Sequence, residues 1–457
     1  MNTGMPDAAN DGFRLERDPL GEKRVPADAL YGVQTTRARE NFKISRLRIH
    51  PLLITAIAEI KKSAAAVHLL CEKLPRKTAE AIIEAADEII EGRWSDEFDL
   101  DVFQAGAGTS YNMNVNEVIA NRALEIIGGR RGDYASINPN DDVNKAQSTN
   151  DVMPTAMRVT SIRLSRELAT ALDSLADSLE GKSHEFADVD KSGRTHLHDA
   201  TPITLGDEFG AWAENVRRAT EQMRALEPNL LEVTLGGTAI GKGDNTYADY
   251  SRLVIEQLSE LTRLELREAP NKIQLTQSLG DFVALSSSVR RIAVELNKIA
   301  NDLRLLDSGP HTGFYEIQIG AIQPGSSIMP GKVNPAVAEM MNMVSYHVMG
   351  QDTAIVMCAD AGQLELNVMM PYAAYALFEG LDTMTHAVRM FDEKCVRMIK
   401  ANREKCAEYR QRTVGLAALH NEEYGYMGAA ELAEKAVETG KTIDELIAEG
   451  EAEKQEA

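Results

Sequence analysis

Through the middle of the chain, apolar positions recur at alternating steps of three and four, the period of a helix with one buried stripe. One series runs Phe282, Leu285, Val289, Ile292, Leu296, Ile299, Leu303 and Leu306. A second runs Phe209, Trp212, Val216, Ala219, Met223, Leu226 and Leu230, and a third Leu164, Leu168, Leu172, Leu175 and Leu179. Seven-residue repeats kept over several turns give a narrow apolar seam, and helices with such seams pack nearly parallel in bundles. Val337–Met349 and Ala374–Phe391 add two more, the latter through Ala374, Phe378, Leu381, Met384, Val388 and Phe391. The pattern therefore predicts about five central helices. At roughly 30 residues each would span about 45 Å, longer than a compact monomer needs.

The flanks read differently. Residues 1–149 mix short helical stretches, Leu52–Leu70 and Thr78–Glu91, with turn-rich segments, and residues 405–457 read as small helices with a Glu-rich tail, Glu449–Glu456. The expected fold is all-α, with a mostly helical N-terminal domain over 1–149, a central long-helix bundle over 150–404 and a small helical C-terminal domain over 405–457.

Composition fits this and narrows the function. Of 457 residues, 44% are hydrophobic and only 5% aromatic, so Ala, Leu, Val, Ile and 18 Met carry the core, which suits helices better than sheets. The net charge of −21 repels polyanions, so nucleic acid is not an expected partner. No run approaches 18 apolar residues, and Met1–Asp11 has neither a basic nor an apolar leader region, so neither a membrane span nor a secretory signal is expected and the cytoplasm is the expected location. Cys71, Cys358, Cys395 and Cys406 show no metal-ligand spacing and read as reduced, mostly buried thiols. Met340, Met341, Met343 and Met349 read as bundle core.

Four polar segments interrupt the helical pattern: Gly106–Glu117, Asn144–Asp151, Gly193–Asp199 and Gly325–Pro335. Ser, Thr and Asn clusters commonly cap helices or make turns, and the first three admit that reading. The fourth is different. Gly325 and Gly331 permit unusual backbone angles, Pro330 and Pro335 bracket it, and between them lie two hydroxyls, a cation and an amide. That is the composition of a donor-bearing lid over an anion.

Gly325-Ser326-Ser327-Ile328-Met329-Pro330-Gly331-Lys332-Val333-Asn334-Pro335 resembles the signature of the aspartase/fumarase superfamily, lyases that remove ammonia, water or an amine from a succinyl skeleton to leave fumarate. The likeness extends from Gly21-Glu22-Lys23 and Tyr31–Thr35, through the other polar segments, to Leu364–Val368 and the Ala429–Ile447 tail. The resemblance implies a homotetramer with a shared helical core, each active site gathering segments from three subunits, and a small dicarboxylate as substrate; the sequence shows no metal-ligand pattern, and no cofactor or metal is expected.

It also implies roles. Ser326 maps to the general base. Thr109, Ser148, Thr149 and Ser327 would surround the substrate's β-carboxylate; Thr195, His196, Lys332 and Asn334 would hold the α-carboxylate; Asn150, with Thr109 and His196, would face the leaving amine. Ser110 and Asn112 complete the donor segment. Removing a proton beside a carboxylate loads that group with a second negative charge, and many neutral donors around it are the physical requirement. A serine base needs neighbouring cations and backbone donors to stabilise its alkoxide; Lys332 and the loop amides are the candidates. Lys332, with Arg194 as a second candidate, would make the site locally positive in an acidic chain.

Within the family, Gly108-Thr109-Ser110, Ser148-Thr149-Asn150, Thr276-Gln277-Ser278 and Ala361–Met369 resemble the aspartase forms, whereas Gly236-Gly237-Thr238-Ala239 leans towards fumarase. Ammonia elimination from aspartate is the first expectation; hydration of fumarate, or an amine-lyase acting on a modified amino acid, are the alternatives. His198, Lys242, Asp244 and His311 depart from the family pattern. Glu117 and Asp151 read as helix anchors outside the catalytic set, and His68, His347 and His386 as packing or surface residues.

Overall fold

The structure, a computed structural model, describes residues 12–456, with side chains to residue 452; the reading of Met1–Asp11 lies outside the described residues. Among these it is mainly helical, with fifteen α-helices and four two-stranded sheets. The five long helices are Thr149–Glu185, Leu205–Arg224, Gly280–Leu306, Ala336–Asp360 and Met370–Lys394.

Their seams are the apolar series of the sequence. Phe282, Leu285, Val289, Ile292, Leu296, Ile299, Leu303 and Leu306 are all buried. Each such side chain contributes about 2 kcal/mol on removal from water. Helix ends depart from the pattern for local reasons. The Phe209 series stops at Arg224, and Glu227–Leu230 forms a separate turn. Pro228 supplies no N–H to continue the helix, and its ring would clash with the carbonyl four residues earlier, at Arg224. The Leu164 series begins at Thr149, a turn and a half before Pro154. The Val337 series continues past Met349 to Asp360.

That last helix is apolar on more than one side. Val337, Met341, Val348 and Ile355 are buried, yet Met343, Tyr346, Val356 and Met357 are exposed, Met357 by 69%. Of the methionines read as core, Met341 is buried whereas Met343 faces outward.

The chain forms two compact units, the first holding residues up to 166, 223–289 and 349–382, the second 167–222, 290–348 and 383 onward. In the first, the helices Pro51–Leu70, Arg76–Ile90, Thr109–Ile126 and Tyr250–Thr262 pack together, and the strand pair Phe13–Asp18 and Gly21–Pro26 lies against the helix Val33–Asn41. The helix Val33–Asn41 has no capping side chain of its own at Gly32. Instead Glu117, fully buried, accepts the amides of Gly32, Gln34 and Thr35 at 2.8–3.0 Å. Burial raises the Glu117 pKa to about 7 against those hydrogen bonds, and the residue is the anchor its position suggested.

In the second unit, Asp190–Thr195 and His198–Thr204 form an antiparallel hairpin. Its strands carry no alternation of buried and exposed positions that would mark them in the sequence. Leu416, Ala417, Ala429, Ala436, Ile443 and Leu446 make a small separate core for the C-terminal helices. The Glu-rich tail lies within the last of these, Ile443–Glu456.

Candidate active site

In the first unit the polar residues converge at two helix N-termini. Thr109 opens the helix Thr109–Ile126 after the turn Gly106–Gly108. Gly108 is left-handed, φ +88°, and a Cβ there would lie 2.7 Å from Cε of buried Met153. The Ala107 amide donates to the Val368 carbonyl at 2.9 Å, so the Leu364–Val368 motif braces this turn. Asn367 is buried and donates to the Cys358 and Ala359 carbonyls, which makes it structural.

Ser148 caps the 37-residue helix that starts at Thr149. Its Oγ accepts the Asn150 amide at 3.2 Å, while its own amide donates to Asp151 Oδ1 at 2.9 Å, a reciprocal capping box. Asp151 Oδ2 also accepts the Gly236 and Thr238 amides. Burial raises the Asp151 pKa to about 6. Asn150 donates to the Ala239 carbonyl at 2.8 Å. The Gly236–Ala239 stretch, the fumarase-like part of the sequence, thus acts as a socket for the helix start.

Buried Asn112 donates through Nδ2 to both Asn144 Oδ1 and Thr149 Oγ1, each at 3.2 Å. Asn112, Ser148, Thr149 and Asn150 are therefore brought together; Ser110 is half-buried and Thr109 exposed one turn earlier.

Sequence reasoning missed the residue beneath this cluster. Lys61 is fully buried and donates to Asn144 Oδ1 at 2.8 Å and to Gln147 Oε1 at 2.9 Å. Burial lowers its pKa to about 7, and the Asp151 charge opposes the fall. The signal was present: Ile57, Lys61, Ala64 and His68 keep the helical spacing of one face, and all are buried. His68 stacks on Tyr250 at 5.2 Å, and its ring nitrogens meet Tyr247 Oη and the Lys145 carbonyl. Burial pulls its pKa to about 4, so it is a neutral packing histidine.

In the second unit the candidate residues lie on two surface features. Thr195 and His198 pair at the end of the hairpin, and His196 and Leu197 form its turn, both left-handed at φ 57° and 61°. All four side chains are exposed. Arg194, just inside, is not free to meet a substrate. Its guanidinium lies 2.9 Å from Glu316 and 4.3 Å over the Phe314 ring, so it holds the hairpin down. Lys191 is buried on the other oxygen of Glu316 at 2.9 Å.

The signature loop closes on itself through the Gly325 amide donating to the Lys332 carbonyl at 3.0 Å and Asn334 Nδ2 donating to the Gly325 carbonyl. Within it, Ser326 Oγ accepts the amides of Ile328 at 3.3 Å and Met329 at 2.9 Å. Gly331 has φ +78° with open space around it. Ser327 and Lys332 are exposed, and among the described residues the Lys332 ammonium has no carboxylate in ion-pair range. Lys332 and Asn334 border a cavity of about 560 Å³ that Arg304 and Glu339 also line. The hairpin residues Thr195 and His196 make no side-chain hydrogen bond to this loop among the described residues. His198, Lys242, Asp244 and His311 are all exposed. His347 and His386 are also exposed, and all four cysteines are free thiols.

A protein-family model described as a lyase matches residues 21–350. The chain is 45% identical to an aspartate ammonia-lyase of Bacillus sp, over 96% of this chain and 93% of that one. It is 43% identical to that of Escherichia coli K12, with the same shares of each chain covered. Among solved structures, a fumarate lyase:delta crystallin from Brucella melitensis bound to cobalt superposes with a TM-score of 0.93, at 46% identity over 96% of each chain. A class II fumarase from Schistosoma mansoni gives 0.92 at 34% identity, over 96% of this chain and 95% of that one.

Proposed function

We propose, from the premise that the chain belongs to the aspartase/fumarase superfamily of lyases, that it is an aspartate ammonia-lyase. It removes ammonia reversibly from L-aspartate to give fumarate. The observation that carries the mechanism is at Ser326. Two backbone amides already point at its Oγ, and these favour the alkoxide over the hydroxyl.

The alkoxide takes the proton from the carbon beside the β-carboxylate. The electron pair moves into that carboxylate, giving an aci-carboxylate with two negative charges. The pair then returns to form the carbon–carbon double bond as the carbon–nitrogen bond breaks and ammonia leaves. Neutral hydroxyl donors suit this step because they stabilise charge that develops without neutralising the base. Thr109, Ser148, Thr149 and Ser327 take the β-carboxylate; Thr195, His196, Lys332 and Asn334 take the α-carboxylate; Asn150 faces the amine. The hydrogen bonds to Ser148 and Thr149 support that assignment, because each oxygen accepts from the protein and keeps its own proton to donate.

We infer a homotetramer whose core is helical and whose sites each draw on three chains. The exposed apolar side of Ala336–Asp360 supports it: a helix apolar on more than one face is stable in water when a second surface covers it. Ile328 and Met329 on the loop, 84% and 51% exposed, fit the same arrangement. Among the described residues no helix is long and apolar enough to cross a membrane, and unpaired cysteines support a cytoplasmic location.

The fumarase-like Gly236–Ala239 stretch anchors the helix start through Asp151 and fixes the carboxamide of Asn150 through the Ala239 carbonyl. The test is the ultraviolet absorbance of fumarate formed from L-aspartate and, separately, from L-malate. Turnover of aspartate is expected; turnover of malate alone overturns the reading. Light scattering is expected to give the mass of four chains.

A further inference from the structure

Resting on the reading that this cluster binds the substrate's β-carboxylate, we propose that Lys61 is a positioning residue that sets the hydrogen-bond polarity of the cluster, acting through Asn144 and Asn112 on Thr149.

A lysine ammonium only donates, so the carboxamide of Asn144 presents its oxygen to Lys61, at 2.8 Å. That same oxygen accepts from Asn112 Nδ2 at 3.2 Å. Asn112 is thereby held with its NH2 group towards Asn144 and Thr149. Thr149 Oγ1 accepts from Asn112, and its own hydroxyl proton stays available for a substrate oxygen. Reverse Asn112, and its Oδ1 would face Thr149 and take that proton; the site would lose a donor where negative charge develops.

The orientation is costly to Asn112 itself. Its Oδ1 is buried and has no hydrogen-bond partner among the described residues, an arrangement that is unfavourable unless something else imposes it. The Lys61–Asn144 contact is that imposing element. Lys61 reaches no surface and lies within the apolar face of Pro51–Leu70, next to Ile57, Ala64 and Ala65. Its second partner, Gln147 Oε1 at 2.9 Å, is also locked, because Gln147 Nε2 donates to the Val143 and Lys145 carbonyls. Even as a neutral amine, Lys61 keeps two protons, one for each partner.

The test is a double-mutant cycle in the full chain. Lys61→Met, Thr149→Val and the pair are compared by kcat and KM for L-aspartate and by calorimetric affinity for succinate. Each single change is expected to lower kcat/KM by about 10²-fold, the effect of one preorganised donor. The double variant should fall no more than about threefold below the worse single, because both remove the same hydrogen bond to substrate. Asn144→Leu, which interrupts the relay without touching the lysine, should match Lys61→Met and decides the matter if that variant does not fold. A Lys61→Met enzyme with wild-type kcat/KM, or losses that multiply fully in the double variant, overturns the proposal. Wild type that binds succinate but makes no fumarate from aspartate overturns the proposed activity, while the succinate affinities of the same variants still decide the role of Lys61. Wild type that binds no dicarboxylate overturns both.

Discussion

Around Thr149 the side chains are buried or half-buried, the backbone is helical, and the Ser148 and Thr149 hydroxyls each have a fixed partner that dictates where the proton points. Around Ser326 the chain is an exposed loop, and the groups aimed at the hydroxyl are its own backbone amides, two and three residues ahead. The first region is preorganised by the core, at the price of buried polar groups such as Asn112 Oδ1. The second is organised by local chain geometry and can be covered or uncovered without disturbing the core. Charge stabilisation gains from rigidity, whereas a base that must be shielded from water gains from sitting on a segment that can close.

The largest effect is expected at the loop that carries the base. Ser326→Ala is expected to reduce fumarate formation by about 10⁴-fold, with succinate affinity by calorimetry and assembly mass by light scattering unchanged. Near-normal turnover removes Ser326 from the mechanism. Ser148→Ala, in the other region, should lower kcat/KM by about 10²-fold and also cost about 1 kcal/mol in denaturant unfolding, because the same oxygen caps a helix. Activity loss with no stability loss would separate the two roles.

Acid sharpens the contrast further. The folded-state pKa of His68 is lowered to about 4 from 6.5. Its contribution is therefore present above pH 6.5 and lost as pH falls through 4, about 3 kcal/mol in all. His68→Phe, which keeps a ring against Tyr250, should make unfolding free energies measured at pH 7 and pH 5 more nearly equal than in wild type. The smallest effects compare two left-handed glycines. Gly108→Ala must push on buried Met153 and should cost about 2–3 kcal/mol. Gly331→Ala meets only its own backbone and should cost about 1 kcal/mol. Equal melting shifts would mean that the two regions are equally constrained.

How much of this the sequence disclosed differs between the regions as well. The long helices were legible because Phe282 to Leu306 keep their spacing over eight apolar positions, all buried. Where Pro228 intervenes, the seam continues but the helix does not. The signature loop was legible by resemblance, yet the two amides on Ser326 arise from the path of the chain, which residue identities do not reveal. The hairpin at Thr195–His198 escaped because its inner strand is Asp-Lys-Ser-Gly-Arg-Thr, with no apolar alternation. Arg194 looked like a substrate cation; the Glu316 carboxylate, more than 120 residues away in sequence, takes it instead. Lys61 escaped because a Lys-Lys pair on a helix ordinarily marks a solvated face. Here only Lys62 is turned outward, towards Asp87, and the helical register puts Lys61 in the core.

The Ser148 capping box limits how this protein can change over generations. One oxygen closes the 37-residue helix and, on the proposed mechanism, meets the substrate. A lineage that altered this residue to explore a new acid would weaken its own scaffold in the same step. New specificity is thus freer to arise at positions such as His198 and His311, whose exposed side chains carry no such double duty.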